Sequence, residues 1–249
     1  MKRALIYLVI GVVAYAGFLL YKLPAAVAYS HAAGELQPLS ATGIEGTVWA
    51  GRAAQVSFQR RPVGSVTWRL NPLPLVLGNV AATVEVKSPA GALAARVIRS
   101  SDGTVRLEEV TGEADVASLA PWVGLQTFHP EGRLNIDLAQ LELQGRRPIA
   151  ATGELVWRDA SLRAPSRVAL GELGAVLSTT PQGVRAVLRD SKSPFALDAA
   201  VQFQANGSYR LNGKISARAN ADPAVHQLME SLGVRNRGAA LPISFSGRL

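Results

Sequence analysis

From Gly43 onward the chain is written in short segments of alternating apolar and polar residues, each stopped by Gly, Pro, Asn or Ser. A period of two puts one face of a segment on a core and the other in solvent, which is the pattern of antiparallel strands joined by tight turns. Strands are expected over 63–70, 80–87, 93–99 and 104–110, then over 132–143, 149–157, 173–180, 184–189, 195–204, 209–217 and 241–249. Ser101-Asp102-Gly103, Pro181-Gln182-Gly183 and Asn206-Gly207 mark hairpin turns, since Asn and Gly accept the positive φ such turns require. An antiparallel sheet in meander order follows, so the expected fold class is mainly β.

Helix is scarce. Residues 222–234 carry Asp222 as N-cap, Pro223 at the first helical position and Gly233 past the end, with Val225, Leu228, Met229 and Leu232 on one stripe. One short C-terminal helix is therefore expected. A turn at 116–123, broken by Pro121, joins the two sets of strands and suggests a sub-boundary near 112–130. A glycine, a charge and Leu or Ile recur at Gly132-Arg133-Leu134, Gly153-Glu154-Leu155, Gly213-Lys214-Ile215 and Gly247-Arg248-Leu249. Their irregular spacing reads as repeated strand-start chemistry rather than a fixed repeat.

The N-terminus sets the compartment. Lys2 and Arg3 precede an uncharged run over residues 4–21, which as a helix spans roughly 27 Å, close to a hydrocarbon core of about 30 Å. With only Lys22 just after it, the positive-inside bias keeps the N-terminus cytoplasmic and exports the rest. Residues 1–28 are thus expected to be a membrane anchor with one transmembrane helix at about 4–21, and 29–249 a β-rich exported domain. The rival is a signal peptide cleaved after Ala28, because Ala26-Val27-Ala28 has the small-x-small pattern; the length of the run and Lys22 before that site favour retention.

Chemistry is hard to find in the rest. The chain has no cysteine, which removes disulfides, thiolate nucleophiles and zinc-thiolate sites. His31, His129 and His226 are not at ligand spacing, and no nucleophile elbow, phosphate cradle or dinucleotide fingerprint occurs. Glu108 and Glu109 are neighbours in a strand, so they are expected on opposite faces rather than as a facing acid pair. Accordingly no catalytic, cofactor-binding or metal-ligating residue is expected, the chain is read as a non-enzyme, and a hydrolase is the weakest alternative. The net charge of +8, from 26 Lys+Arg against 18 Asp+Glu, suits an anionic partner. Its cations are dispersed, however, and aromatics are few, which argues against nucleic acid. Within the exported domain Arg60-Arg61 and Arg146-Arg147 are the adjacent pairs, and they stand as candidate contacts for lipid phosphate or an acidic protein.

Two strings are distinctive. Ile44-Glu45-Gly46-Thr47-Val48-Trp49-Ala50-Gly51-Arg52-Ala53 brackets a tryptophan with glycines, implying bends on each side of a buried indole in a strand. Val66-Thr67-Trp68-Arg69-Leu70-Asn71-Pro72 leads into Leu73-Pro74-Leu75-Val76-Leu77-Gly78, with Trp68 and Leu70 on one face and prolines ending the strand. With the anchor, with Gly153-Glu154-Leu155-Val156-Trp157-Arg158-Asp159-Ala160 and with the closing Ser246-Gly247-Arg248-Leu249, this resembles the protein N family of the bacterial type II secretion system. The residues that carry the likeness are Gly46, Thr47, Trp49, Gly51, Trp68, Leu70, Pro72 and Gly78.

The resemblance implies a single-pass inner-membrane protein of a Gram-negative cell with a periplasmic domain, no enzymatic activity and no cofactor. Its partners would be the bilayer and other secretion proteins, either the secretin or inner-membrane platform components. It also points to an AsmA-like curved sheet. Two readings follow: a scaffold that assists export of folded proteins across the outer membrane, or a lipid-binding groove built from aliphatic strands such as 73–86 and 134–143.

Overall fold

The computed structural model describes residues 7, 11, 15, 17–19, 21–34, 37–123, 129–163, 167–218 and 240–248. The expected helix at 222–234, and with it His226, lies outside them, as does most of the run 4–21; its described residues 7, 11, 15, 17–19 and 21 are helical. No helix among the described residues is long and apolar enough to cross a membrane. The chain forms two compact units, Met1–Pro89 and Ala90–Leu249, and the 112–130 stretch lies within the second.

The first unit contains helix α1 (Ala25–Ala32), β1 (Leu39–Gly46), β2 (Ala50–Phe58), β3 (Arg61–Asn71), a 3-10 turn (Leu73–Leu77) and β4 (Val80–Ser88). Neighbouring strands pair antiparallel, with Ile44 opposite Ala53, Gly51 opposite Trp68 and Trp68 opposite Val84. β3 stops at Asn71 because Pro72 brings no N–H to a ladder. The aliphatic stretch from Leu73, expected to run as strand through Val86, is therefore split. Pro72 and Pro74 fix helical φ values for one 3-10 turn, and the strand resumes only at Val80.

The second unit holds β5 (Gly91–Arg99), β6 (Thr104–Asp115), α2 (Val116–Val123), β7 (Pro130–Gln144), β8 (Arg147–Arg163) and β9 (Arg167–Thr180). It continues with β10 (Gly183–Ser191), β11 (Phe195–Gln204), β12 (Ser208–Ala217) and β13 (Leu241–Arg248). Again each strand pairs with the next. The marked turns fall where their chemistry places them. At the first, the Thr104 amide donates to Asp102 at 2.9 Å, and this bond holds the Asp102 carboxyl below the usual carboxylate range. At another, Gly207 takes φ +84 and the Ser208 amide donates to Asn206.

Two apolar clusters form on the inner face of this unit. Ala95, Val110 and Leu138 gather Leu93, Leu107, Ile136 and Leu155 from β5 to β8. Ala160, Val168, Leu170 and Phe195 gather Trp157, Leu197 and Ile215 from β8 to β12. Burying one such large side chain is worth about 2 kcal/mol. The sheet curves enough for Arg147, at the start of β8, to donate to the Ala205 carbonyl beyond the end of β11 at 3.4 Å.

Bulges supply the curvature, and two expectations change because of them. The four glycine-charge-aliphatic sites are not strand starts: Gly132, Gly153, Gly213 and Gly247 lie inside β7, β8, β12 and β13. Gly153, at φ +143 beside a register shift, approaches β7 so closely that an added Cβ would lie 2.4 Å from the Asp137 carbonyl oxygen. Likewise Glu108 and Glu109 do not simply point to opposite faces. Ala94 faces Thr111 but Arg96 faces Glu108, so β6 carries an extra residue, and Glu109 takes φ +53 there. Both carboxylates consequently reach one guanidinium, Arg96, at 3.8 and 3.7 Å.

Gly153→Ala is expected to destabilise the chain by about 2–4 kcal/mol in urea denaturation, because both the positive φ and the contact with β7 must yield. Gly145→Ala, at φ +63 with nothing within 4 Å of the added carbon, should cost only about 1 kcal/mol.

Candidate functional site

Gly46, Thr47, Trp49, Gly51, Trp68 and Leu70 converge on the loop between β1 and β2. Thr47, Val48 and Trp49 form this loop, so the tryptophan expected within a strand stands instead in a turn, half-buried. Gly46 takes φ +86 to enter it. Within the loop the Thr47 amide donates to the Ala50 carbonyl at 2.9 Å, and the Ala50 amide donates to the Thr47 hydroxyl at 3.2 Å.

The loop bonds in two directions. On one side Pro24 and Thr47 form a bridge, and the Val48 amide donates to the Leu23 carbonyl at 3.1 Å. On the other, the Leu70 amide donates to the Trp49 carbonyl at 2.7 Å, and the Trp68 indole N–H donates to the Val48 carbonyl at 3.0 Å. Gly51 serves the same contact, not as a bend but as open space: a Cβ there would sit 2.6 Å from the Trp68 ring. Pro72 and Gly78 are set apart from this network and bound the 3-10 turn, where Gly78 at φ +77 donates its amide to the Leu75 carbonyl at 3.0 Å.

Beneath the loop lies an apolar cavity of about 350 Å³, at the small end of the roughly 300–1,000 Å³ typical of ligand sites. Helix α1 covers it with Ala25, Ala28, Tyr29 and Ala32, and the sheet lines it with side chains including Val56, Val66, Trp68 and Leu70. Trp68 and Leu70 share the inner face, as their spacing implies. The Tyr29 hydroxyl accepts the Ala41 amide at 2.9 Å. Apart from the Tyr29 phenol, whose oxygen is engaged by the Ala41 amide, the lining is apolar, and the cavity is suited to enclosing hydrocarbon.

Sequence reasoning missed α1. Its signal is present in Ala25, Ala28, Tyr29 and Ala32, spaced i, i+3, i+4 and i+7, and it overlaps the small-x-small pattern of a cleavage site. Ala26-Val27-Ala28 lies inside the helix.

The other candidates are dispersed. Arg60, at φ +65, is exposed in the turn between β2 and β3, and Arg61 opens β3. Arg146 is exposed in the turn between β7 and β8, whereas the Arg147 side chain lies along Gly207 at the turn between β11 and β12. The structure thus gives Arg147 a partner within its own unit. His31 is exposed and its Nδ1 lies 2.9 Å from the Val27 carbonyl oxygen, and His129 is exposed just before β7. Among the described residues no group of three His, Asp or Glu is arranged to hold a metal ion.

A family model described as type II secretion system (T2SS), protein N, matches residues 37–244, from before β1 into β13. The chain belongs to the type II secretion protein N family. A relative from Aeromonas hydrophila, named type II secretion system protein N, is 22% identical over the full length of both chains. One of the same name from Vibrio cholerae serotype O1 is 29% identical over 56% of each. No solved structure matches the chain. As a member of the protein N family, the chain is a component of the type II secretion apparatus.

Gly51→Ala is expected to push the Trp68 ring off the loop and break its bond to Val48, destabilising the protein by about 2–3 kcal/mol with a red shift of tryptophan emission. Trp68→Phe keeps most of the apolar contact and should cost less, about 1–2 kcal/mol in the same denaturation experiment.

Proposed function

We propose that this protein is a non-catalytic, inner-membrane-anchored component of the secretion apparatus that assists export of folded proteins by scaffolding or assembly contacts in the periplasm. Family membership over nearly all of the β-rich sequence carries the reading. The anchor is residues 4–21, with Lys2 and Arg3 cytoplasmic and the strands exported. Retention rather than cleavage is favoured by α1: a cut after Ala28 would sever that helix and remove Ala25 and Ala28 from the wall of the cavity. The AsmA-like curvature expected from the resemblance belongs to the same proposal and is favoured by the bulges at Glu109, Gly153 and Asp159.

β13 ends the strand order with an open edge and is largely exposed, with Phe245 61% accessible, whereas β1 at the other end gives its Ala41 amide to Tyr29. An edge strand offers unpaired backbone groups to another strand. The exposed Arg60 and Arg146 offer charge complementarity to an acidic protein surface.

Photo-crosslinkers placed in cells at Arg60, Arg146 and Phe245 are expected to give adducts with the secretin or with inner-membrane platform proteins. Absence of any secretion component among the adducts at all three positions would overturn the scaffold reading. Adducts of lipid alone at those positions would return a lipid-handling role to consideration.

A further inference from the structure

The turn at Leu73–Leu77 is the most exposed apolar feature among the described residues: Leu73, Val76 and Leu77 are 75%, 86% and 79% accessible. In a 3-10 turn, residues three apart eclipse, so Leu73 and Val76 form one ridge with Leu77 beside it. Such a ridge in water is unfavourable, and among the described residues of the first unit none covers it.

The backbone of this turn is prepared for an apolar medium. Pro72 and Pro74 have no N–H to satisfy. The Leu73 amide donates to the Asn71 side chain at 3.1 Å, Leu75 to the Pro72 carbonyl at 3.2 Å, and Gly78 and Asn79 to the Leu75 and Pro74 carbonyls at 3.0 Å each. Non-helical backbone enters lipid only when its polar groups are met internally.

The position of the turn identifies its occupant. In a meander the β1–β2 and β3–β4 connections lie at the same end of the sheet, so the turn stands beside the Thr47–Trp49 loop. That loop binds Leu23 directly, and Leu23 is two residues beyond the end of the apolar run 4–21. From Leu70, bonded to Trp49, the turn begins three Cα steps of about 3.8 Å further on. Lys22 and Arg69 are exposed at this end and have no carboxylate partner among the described residues, and Tyr21 is exposed next to Lys22. Cations and tyrosine flanking an apolar wedge suit the phosphates and the interface of a bilayer.

We propose that Leu73, Val76 and Leu77 insert into the outer leaflet surface of the same membrane that holds the anchor, with Lys22 and Arg69 on lipid phosphates. The turn is a second, shallow membrane contact that fixes the tilt of the first unit against the bilayer. It rests on the anchor reading above.

The absence of cysteine allows single-site labelling of the full chain. With an environment-sensitive fluorophore at Val76→Cys, in vesicles of phosphatidylethanolamine and phosphatidylglycerol with brominated acyl chains, emission is expected to shift to the blue and fall at least twofold. The same label at Tyr15→Cys, within the anchor, should be quenched more. At Pro62→Cys, exposed at the far end of β3, it should be unchanged. Quenching at Tyr15 but not at Val76 would overturn the inserted turn and leave the anchor standing. Failure of the chain to float with vesicles would overturn both, and equal quenching at Pro62 would reduce the contact to unspecific adsorption and overturn the proposal.

Discussion

Within each unit every strand finds its hydrogen-bond partners in the strands that immediately precede and follow it in sequence. This local pairing is the constraint on which the rest depends. A backbone donor or acceptor left unmet in a sheet costs as much as a lost hydrogen bond, so each hairpin turn fixes the register of the next strand, and the register fixes which side chains share a face. In the second unit the inner face brings Trp157 of β8 into the same apolar cluster as Phe195 of β11 and Ile215 of β12.

The β1–β2 loop is where local pairing gives way to a different economy of contacts. Its backbone joins the N-terminal segment through Leu23 and Pro24 to β3 through Trp68 and Leu70. A loop so bonded cannot shift without moving both neighbours. Each residue type has its task there: Gly46 takes a positive φ, Thr47 supplies a side-chain bond to Ala50, Gly51 leaves room beneath the indole, and Trp68 brings a donor that reaches Val48. They are structural requirements, and none of them brings a reactive group.

The charged residues follow a similar logic of surface placement. Glu131 collects Arg163 and Arg167 along neighbouring strands, Glu142 receives Arg106, and Arg96 spans two carboxylates. In each pair the arginine side chain is 46–66% accessible, where an ion pair is worth under about 1 kcal/mol. They tie adjacent strands across the outer face but do not concentrate charge, which agrees with a chain whose positive excess is spread over its surface.

The sequence by itself determined the strands from β3 onward, the turns at Asp102, Gly183 and Gly207, and the end of β3 at Pro72, because each depends on chemistry confined to a few consecutive residues. Alternation, a proline without a donor and a glycine at positive φ can all be read one residue at a time. Only the tertiary structure decided the rest. That Glu108 and Glu109 meet one arginine depends on an extra residue measured against β5, and that Gly51 is needed for space depends on an indole seventeen residues later. That α1 covers a cavity depends on the strands beneath it, and that Leu73, Val76 and Leu77 stand in the open beside Leu23 depends on two loops brought together at one end of a sheet. Each of these is a relation between distant segments, and no periodicity within either segment contains it.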